Sequence, residues 1–311
     1  MAFKKSAGEF RSSDGRHRIR YYVYEPADGP VRAVLQISHG MCEYIGRYEE
    51  FAEELCAHGI LVCGNDHLGH GPEAREQGTL GYFAQRDGWK LLPADLRKLT
   101  VLMKRRYPGV PYFLLGHSMG SFIARVYLAK YGELLDGAVI MGTSGGNPFA
   151  GIGIRVAEGE IRRHGEMYRS PRLKKLSMGG YNKRFKGEND ENSWLTKEKS
   201  IRETYAANDL CNFTFTASGY RDLFSLLRAV SEKGWAERVP KGLPILVTSG
   251  AEDPVGDYGK GVRKVYERLR SAGVKDVTLR LYEGDRHEIL NETDRRDVYR
   301  DILGFLESHF N

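Results

Sequence analysis

Residues 112–131 read YFLLGHSMGSFIARVYLAKY. The apolar run Tyr112, Phe113, Leu114, Leu115 fits a short buried strand, and it breaks at Gly116-His117-Ser118-Met119-Gly120. Beyond the break, apolar residues recur at helical spacing. Phe122, Ile123, Val126, Tyr127 and Ala129 read as inward, and Arg125 and Lys130 as outward. Strand, tight turn and helix with a serine at the apex is the context that a G-x-S-x-G nucleophile needs. The flanking glycines leave room where strand and helix pass closely. The Met119 N–H, at the helix start, can face an anion forming beside Ser118. A second match, Gly142-Thr143-Ser144-Gly145-Gly146, also follows an apolar run, but Asn147-Pro148 comes where a helix should begin. Ser118 is the expected nucleophile and Ser144 a loop residue.

The same alternation extends both ways from this stretch. Residues 9–13 and 18–25 read as an antiparallel pair turned at Ser13-Asp14-Gly15. AVLQIS at 33–38 and ILVCGN at 60–65 are buried strands, with helical spacing over 48–58 between them and a long helix over 89–106 after them. Residues 138–141, PILVTS at 244–249 and residues 277–282 continue the strands, and helices are expected near 258–271 and 294–309. Buried strands alternating with amphipathic helices imply an α/β fold, a mostly parallel sheet with helices on both faces. The alternation lapses over 147–236, which is basic and helix-prone. That organisation gives a core of residues 1–146 and 237–311, interrupted by a helical cap at 147–236.

Composition bounds the function. At 311 residues, 41% hydrophobic and 28% charged, the chain has ample material for a core. No apolar run is long enough to span a membrane, and the first twenty residues lack the apolar stretch of a secretory signal. Cys42, Cys56, Cys63 and Cys211 then read as free thiols of a cytoplasmic protein. No metal-ligand spacing, Walker loop or dinucleotide fingerprint occurs, so no cofactor or metal is expected. Of the net charge of +6, residues 147–236 contribute 16 Lys+Arg against 11 Asp+Glu. Residues 155–186 hold ten of those bases, a face suited to solvent or to an anionic membrane surface. Nucleic acid is not expected, because no recognition motif accompanies the charge. Oligomeric state is not legible.

A serine hydroxyl needs a base, and the base an orienting acid; behind an elbow serine these follow in the order acid, then histidine. Two late loops supply them. SGAEDP at 249–254 offers Asp253, with Glu252 as a rival, and EGDRHE at 283–288 offers His287. The loop His39-Gly40-Met41 after strand 33–38 offers the Met41 N–H as a second oxyanion donor beside that of Met119. Glu43 reads as a buttress for that loop, and His39 and His70 as structural. Phe149, Phe213, Phe215 and Phe224 are expected to line an apolar pocket over Ser118, with the basic face outside.

These residues resemble the monoacylglycerol lipase and lysophospholipase group of serine α/β-hydrolases, the serine aminopeptidase S33-like family. The matching pieces are HGMCEYIGRYEEFAEEL from His39, NDHLGHG from Asn65, FLLGHSMGS from Phe113, SGAEDPVG from Ser249 and YEGDRHEILNE from Tyr282. The cap is matched mainly by NDLCNFTFTASGYRDLF from Asn208. The resemblance implies Ser118, Asp253 and His287 as triad and the Met41 and Met119 amides as oxyanion hole. It also implies hydrolysis of single-chain acyl esters beneath a cap that touches membrane. A small-ester esterase, an amidase or aminopeptidase, and a non-catalytic binding protein on the same scaffold are the competing readings.

Overall fold

The computed structural model describes residues 3–310. Eight strands form one sheet: β1 (Phe3–Arg11), β2 (Arg18–Pro26), β3 (Ala33–Ser38), β4 (Ile60–Asn65), β5 (Tyr112–His117), β6 (Gly137–Met141), β7 (Ile245–Gly250) and β8 (Val277–Tyr282). Their order is β1-β2-β4-β3-β5-β6-β7-β8. β2 pairs antiparallel with β1 and with β4, and every pairing from β4 to β8 is parallel. Parallel neighbours need crossovers, and these are supplied by α1 (Glu49–Ala57), α3 (Gly88–Arg106), α4 (Met119–Tyr131) and α9 (Lys260–Ser271), with the short α2 (Gly71–Glu76) ahead of α3, and between β6 and β7 by the long segment 142–244.

The strands from β3 to β7 are buried along their length, which is why they read as continuous apolar runs. Strand periodicity sorts their side chains onto two cores. Val34, Leu61, Leu114, Ala138, Ile140 and Val247 pack with α3, α4 and α9. Leu35, Ile37, Val62, Phe113, Leu115 and Val139 pack with α1 and the C-terminal helix α10 (Arg295–Glu307). β5 lies centrally, so its C-terminal end carries Ser118 to the middle of the sheet's edge, where sites of parallel α/β sheets form.

Between β6 and β7 the chain builds four helices that stay out of the sheet: α5 (Ala150–His164), α6 (Pro171–Met178), α7 (Lys199–Ala207) and α8 (Ala217–Ser231). α5 and α8 pack on each other, and α8 also packs against α4 and α3. This last contact corrects one expectation. Arg125, read as facing solvent, is fully buried, because α8 and residues 230–236 cover that side of α4. Helical spacing within α4 could not show a partner that arrives from a hundred residues later.

Candidate active site

The turn between β5 and α4 has the strained geometry that its sequence requires. Ser118 sits at φ 54°, ψ −121°, a conformation that non-glycine residues adopt only where the surroundings hold them. Gly120 explains how α4 comes so close: a Cβ there would lie 1.9 Å from the Ser38 carbonyl oxygen. Ser121 Oγ donates to Ser118 O at 2.5 Å, bracing the apex from inside the helix.

Two later loops bring the acid and the histidine together. His287 Nδ1 donates to Asp253 Oδ1 at 3.0 Å, and both side chains are buried. Asp253 is itself held, its Oδ2 accepting from Ser249 Oγ at 2.8 Å and its Oδ1 from Val255 N at 2.8 Å. Burial alone would raise the Asp253 carboxyl, but the facing imidazole and these donors outweigh it and hold the group below the usual carboxylate range. Glu252 points elsewhere and pairs with Arg184. Ser144 lies in the loop after β6, with its carbonyl taken by Arg125, and no helix follows until Ala150.

The loop after β3 lies against the elbow. A Cβ on Gly40 would sit 3.0 Å from Ser118 Cβ, so Gly40, Met41 and Cys42 can line the same cavity as Ser118, Met119 and His287. Cys42 adopts φ 54° and its N–H donates to His70 Nε2 at 3.3 Å, which fixes the peptide just after Met41. His39, His67 and His70 form a buried cluster behind this loop, and burial pushes His39 down to about 4. Neutral imidazoles can accept backbone N–H bonds: His39 Nε2 accepts from His67 N as His70 does from Cys42.

A second buried cluster braces elbow and histidine loop together. Glu43 Oε1 accepts from Tyr48 OH at 2.9 Å and from His117 Nδ1 at 3.0 Å, and Arg47 bridges Glu43 to Glu288. Burial opposes charge here, yet Glu43 is held far below the usual carboxylate range by His117 and Arg47, and His117 is carried above its ordinary value by Glu43. The His117 Nδ1 is taken up by Glu43, and its Nε2 faces the His287 carbonyl oxygen at 3.4 Å. Its nitrogens thus face Glu43 and the His287 loop rather than Ser118.

Ser118 and His287 open onto a cavity of about 730 Å³, the size range of small-molecule sites. Phe213 and Phe224 line it, with Met41, Phe122, Leu223 and Leu227. Two of the four expected phenylalanines do not. Phe149 is 68% exposed, because the chain turns outward after Pro148. Phe215 is fully buried elsewhere, edge-on to Phe83 and His70 at 5.2 and 5.4 Å, where it seats the inserted segment on the core. The lining is also more polar than expected, since Asn147, Asn192, Glu191, Lys174 and Lys175 join it. Trp194 was not anticipated. Its ring lies 5.0 Å from that of His287, and its carbonyl accepts the His287 N–H, a contact that no motif announces.

All ten bases of 155–186 are exposed. Beside them Ile152, Met167, Tyr168 and Leu176 are also exposed, so the outer face is mixed rather than purely basic. Among the described residues no helix is long and apolar enough to cross a membrane.

Residues 29–294 match the family described as Serine aminopeptidase, S33. The chain is 28% identical to a monoacylglycerol lipase of Mycolicibacterium smegmatis over 95% of each chain. It is 30% identical to the monoglyceride lipase of Homo sapiens, covering 90% of this chain and 83% of that one. A thermostable carboxyl esterase from Bacillus coagulans, solved with glycerol, superposes with a TM-score of 0.91 at 31% identity, covering 99% of both chains.

Proposed function

Given that the chain belongs to the serine aminopeptidase S33 family of α/β-hydrolases and is a serine ester hydrolase, we propose that it cleaves single-chain acyl esters through an acyl-serine intermediate at Ser118. The observation that carries this reading is the buried Asp253–His287 pair at 3.0 Å, with His287 and the strained Ser118 lining the same cavity.

In this mechanism His287 Nε2 takes the Ser118 hydroxyl proton as Oγ attacks the ester carbonyl. Asp253 holds the imidazole with Nδ1–H inward and stabilises the charge it acquires. The carbonyl oxygen becomes an oxyanion that receives the Met41 and Met119 N–H groups, each such donor contributing about 3 kcal/mol to the transition state. His287 then returns its proton to the departing alkoxide. Water, deprotonated by the same imidazole, attacks the acyl carbonyl and releases Ser118 and the fatty acid. Residues 147–236 serve as a cap whose inner wall, with Phe213, Phe224, Leu223 and Leu227, takes the acyl chain. Its outer wall, where exposed Phe149 and Ile152 stand among bases, meets an anionic lipid surface.

The test is a panel of p-nitrophenyl esters from acetyl to palmitoyl, with aminoacyl anilides beside it. Catalytic efficiency should climb with chain length until the cavity is full, each methylene adding at most about 0.8 kcal/mol. A profile peaking at acetyl would leave a small-ester esterase, and turnover of the anilides alone an aminopeptidase.

A further inference from the structure

Arg125 lies in the second turn of α4, on the helix that begins at Ser118. It is fully buried, and among the described residues no carboxylate is paired with its guanidinium. Burying a cation without a counter-ion is costly, and an apolar side chain of similar length would fill the space without that cost. The charge must be compensated by what the fork reaches. Nη1 donates to the Ser144 carbonyl oxygen at 2.8 Å, Nη2 donates to the Val230 carbonyl oxygen at 2.7 Å, and the plane lies 4.3 Å from the Trp235 ring centre.

Those two carbonyls belong to opposite ends of one excursion. Ser144 lies where the chain leaves β6 for the cap, and Val230 lies in the last turn of α8, where it comes back. The last carbonyls of a helix have no partner within it and carry the negative end of its dipole, so a buried guanidinium is well placed there. Arg268 Nη1 also faces the Val230 carbonyl, at 3.4 Å. The two ends touch each other as well: Asn147 N–H donates to Ser231 Oγ at 2.8 Å. Both run on into the cavity lining, through Gly146, Asn147 and Pro148 on one side and Leu223, Phe224 and Leu227 on the other.

We propose that Arg125 is a specificity-determining positioning residue that locks both roots of the cap to the nucleophile helix and so holds the acyl-binding wall in register with Ser118. A planar fork spans two carbonyls, whereas an ammonium is one compact charge and cannot hold both in the same geometry. The reacting ester itself sits between Ser118, His287 and the two backbone amides, none of which Arg125 touches. Long acyl chains depend on the lock, and an acetyl group does not. The proposal rests on the acyl-ester reading given above.

Arg125→Met and Arg125→Lys test it, by kinetics on p-nitrophenyl acetate and decanoate and by amide hydrogen exchange. With Arg125→Met, kcat/KM on acetate should stay within about threefold of the parent while decanoate loses about tenfold or more, chiefly through KM. Arg125→Lys should fall between the two. Exchange at Gly146 and Asn147 should quicken in the same order. Ser231→Ala, which cuts the tie between the roots without touching Arg125, should shift the decanoate-to-acetate ratio in the same direction by less. A folded Arg125→Met that loses both esters equally, or whose roots exchange at the parent rate, overturns the proposal. If Arg125→Met does not fold, unchanged exchange and an unchanged ester ratio in Ser231→Ala overturn it instead. Exchange needs no substrate, so a parent enzyme with no chain-length preference would count against the acyl-ester reading and leave the Arg125 lock to be judged by exchange alone.

Discussion

Replacing Asp253 by Asn removes one charge and almost no volume, which makes its effect calculable. The Oδ1 position accepts from both His287 Nδ1 and Val255 N, so the amide oxygen is expected to settle there. The amide nitrogen then faces Ser249 Oγ, which accepts by turning its own proton away. The imidazole keeps its tautomer and orientation. What disappears is the attraction between the carboxylate and the imidazolium formed when Ser118 gives up its proton. At the observed 3.0 Å, and with an effective dielectric of about 20, that attraction is about 5 kcal/mol. The asparagine dipole retains part of it, so kcat on p-nitrophenyl butyrate should fall roughly 10³- to 10⁴-fold with KM little changed. Fluorophosphonate labelling of Ser118 should slow in parallel, since that reaction also needs the base. Circular dichroism should show an unchanged fold. Glu252→Gln, which alters only a surface pair with Arg184, should be silent. A folded Asp253→Asn enzyme that keeps more than about a tenth of parental kcat would refute the charge argument.

Ser118→Ala should abolish hydrolysis and labelling while the protein stays folded, and Ser144→Ala should leave turnover nearly intact; the reverse pattern would move the nucleophile to Ser144. His117 gives a prediction in pH. Its folded value is raised by Glu43 despite burial, so its contribution to stability is complete below the ordinary value of about 6.5 and is lost as pH rises through the raised one. The Tm advantage of the parent over His117→Gln should therefore shrink as pH rises above about 6.5, and a constant gap would mean that the imidazole is not titrating there. Phe213→Ala should lower efficiency on long acyl esters more than on acetate. Phe149→Ala should leave dissolved esters alone but weaken binding to anionic vesicles; equal binding by parent and variant would remove Phe149 from the docking face.

The core was legible because its physics is local. β3, β4 and β5 are buried on both faces and so consist of unbroken apolar runs, and the candidate site lies where loops leave the C-terminal ends of such strands. The elbow was legible for the same reason, since Gly116, Ser118 and Gly120 answer to strain within five residues. Even the Asp253–His287 contact follows from two neighbouring strands, β7 and β8, ending side by side.

Residues 147–236 were not legible in this way, because their side chains answer to partners distant in sequence. Phe213 and Phe215 are two residues apart in a segment without regular structure, yet one lines the cavity and the other packs against Phe83 and His70. Composition cannot separate them, since both are aromatic and both are drawn from water. Arg125 misleads in the opposite sense. On α4 alone a charged residue belongs outside, and only the arrival of Ser144, Val230 and Trp235 makes the buried position tenable. Trp194 shows why such residues gather around the site. It meets His287 with a carbonyl for the His287 N–H and a ring for its imidazole. Both contacts are specified by where the cap folds and not by any local pattern. Ser118, Asp253 and His287 are therefore placed by strand ends, while the cavity beside Ser118 and His287 is lined by residues of α6 and α8 that only packing distant in sequence puts there.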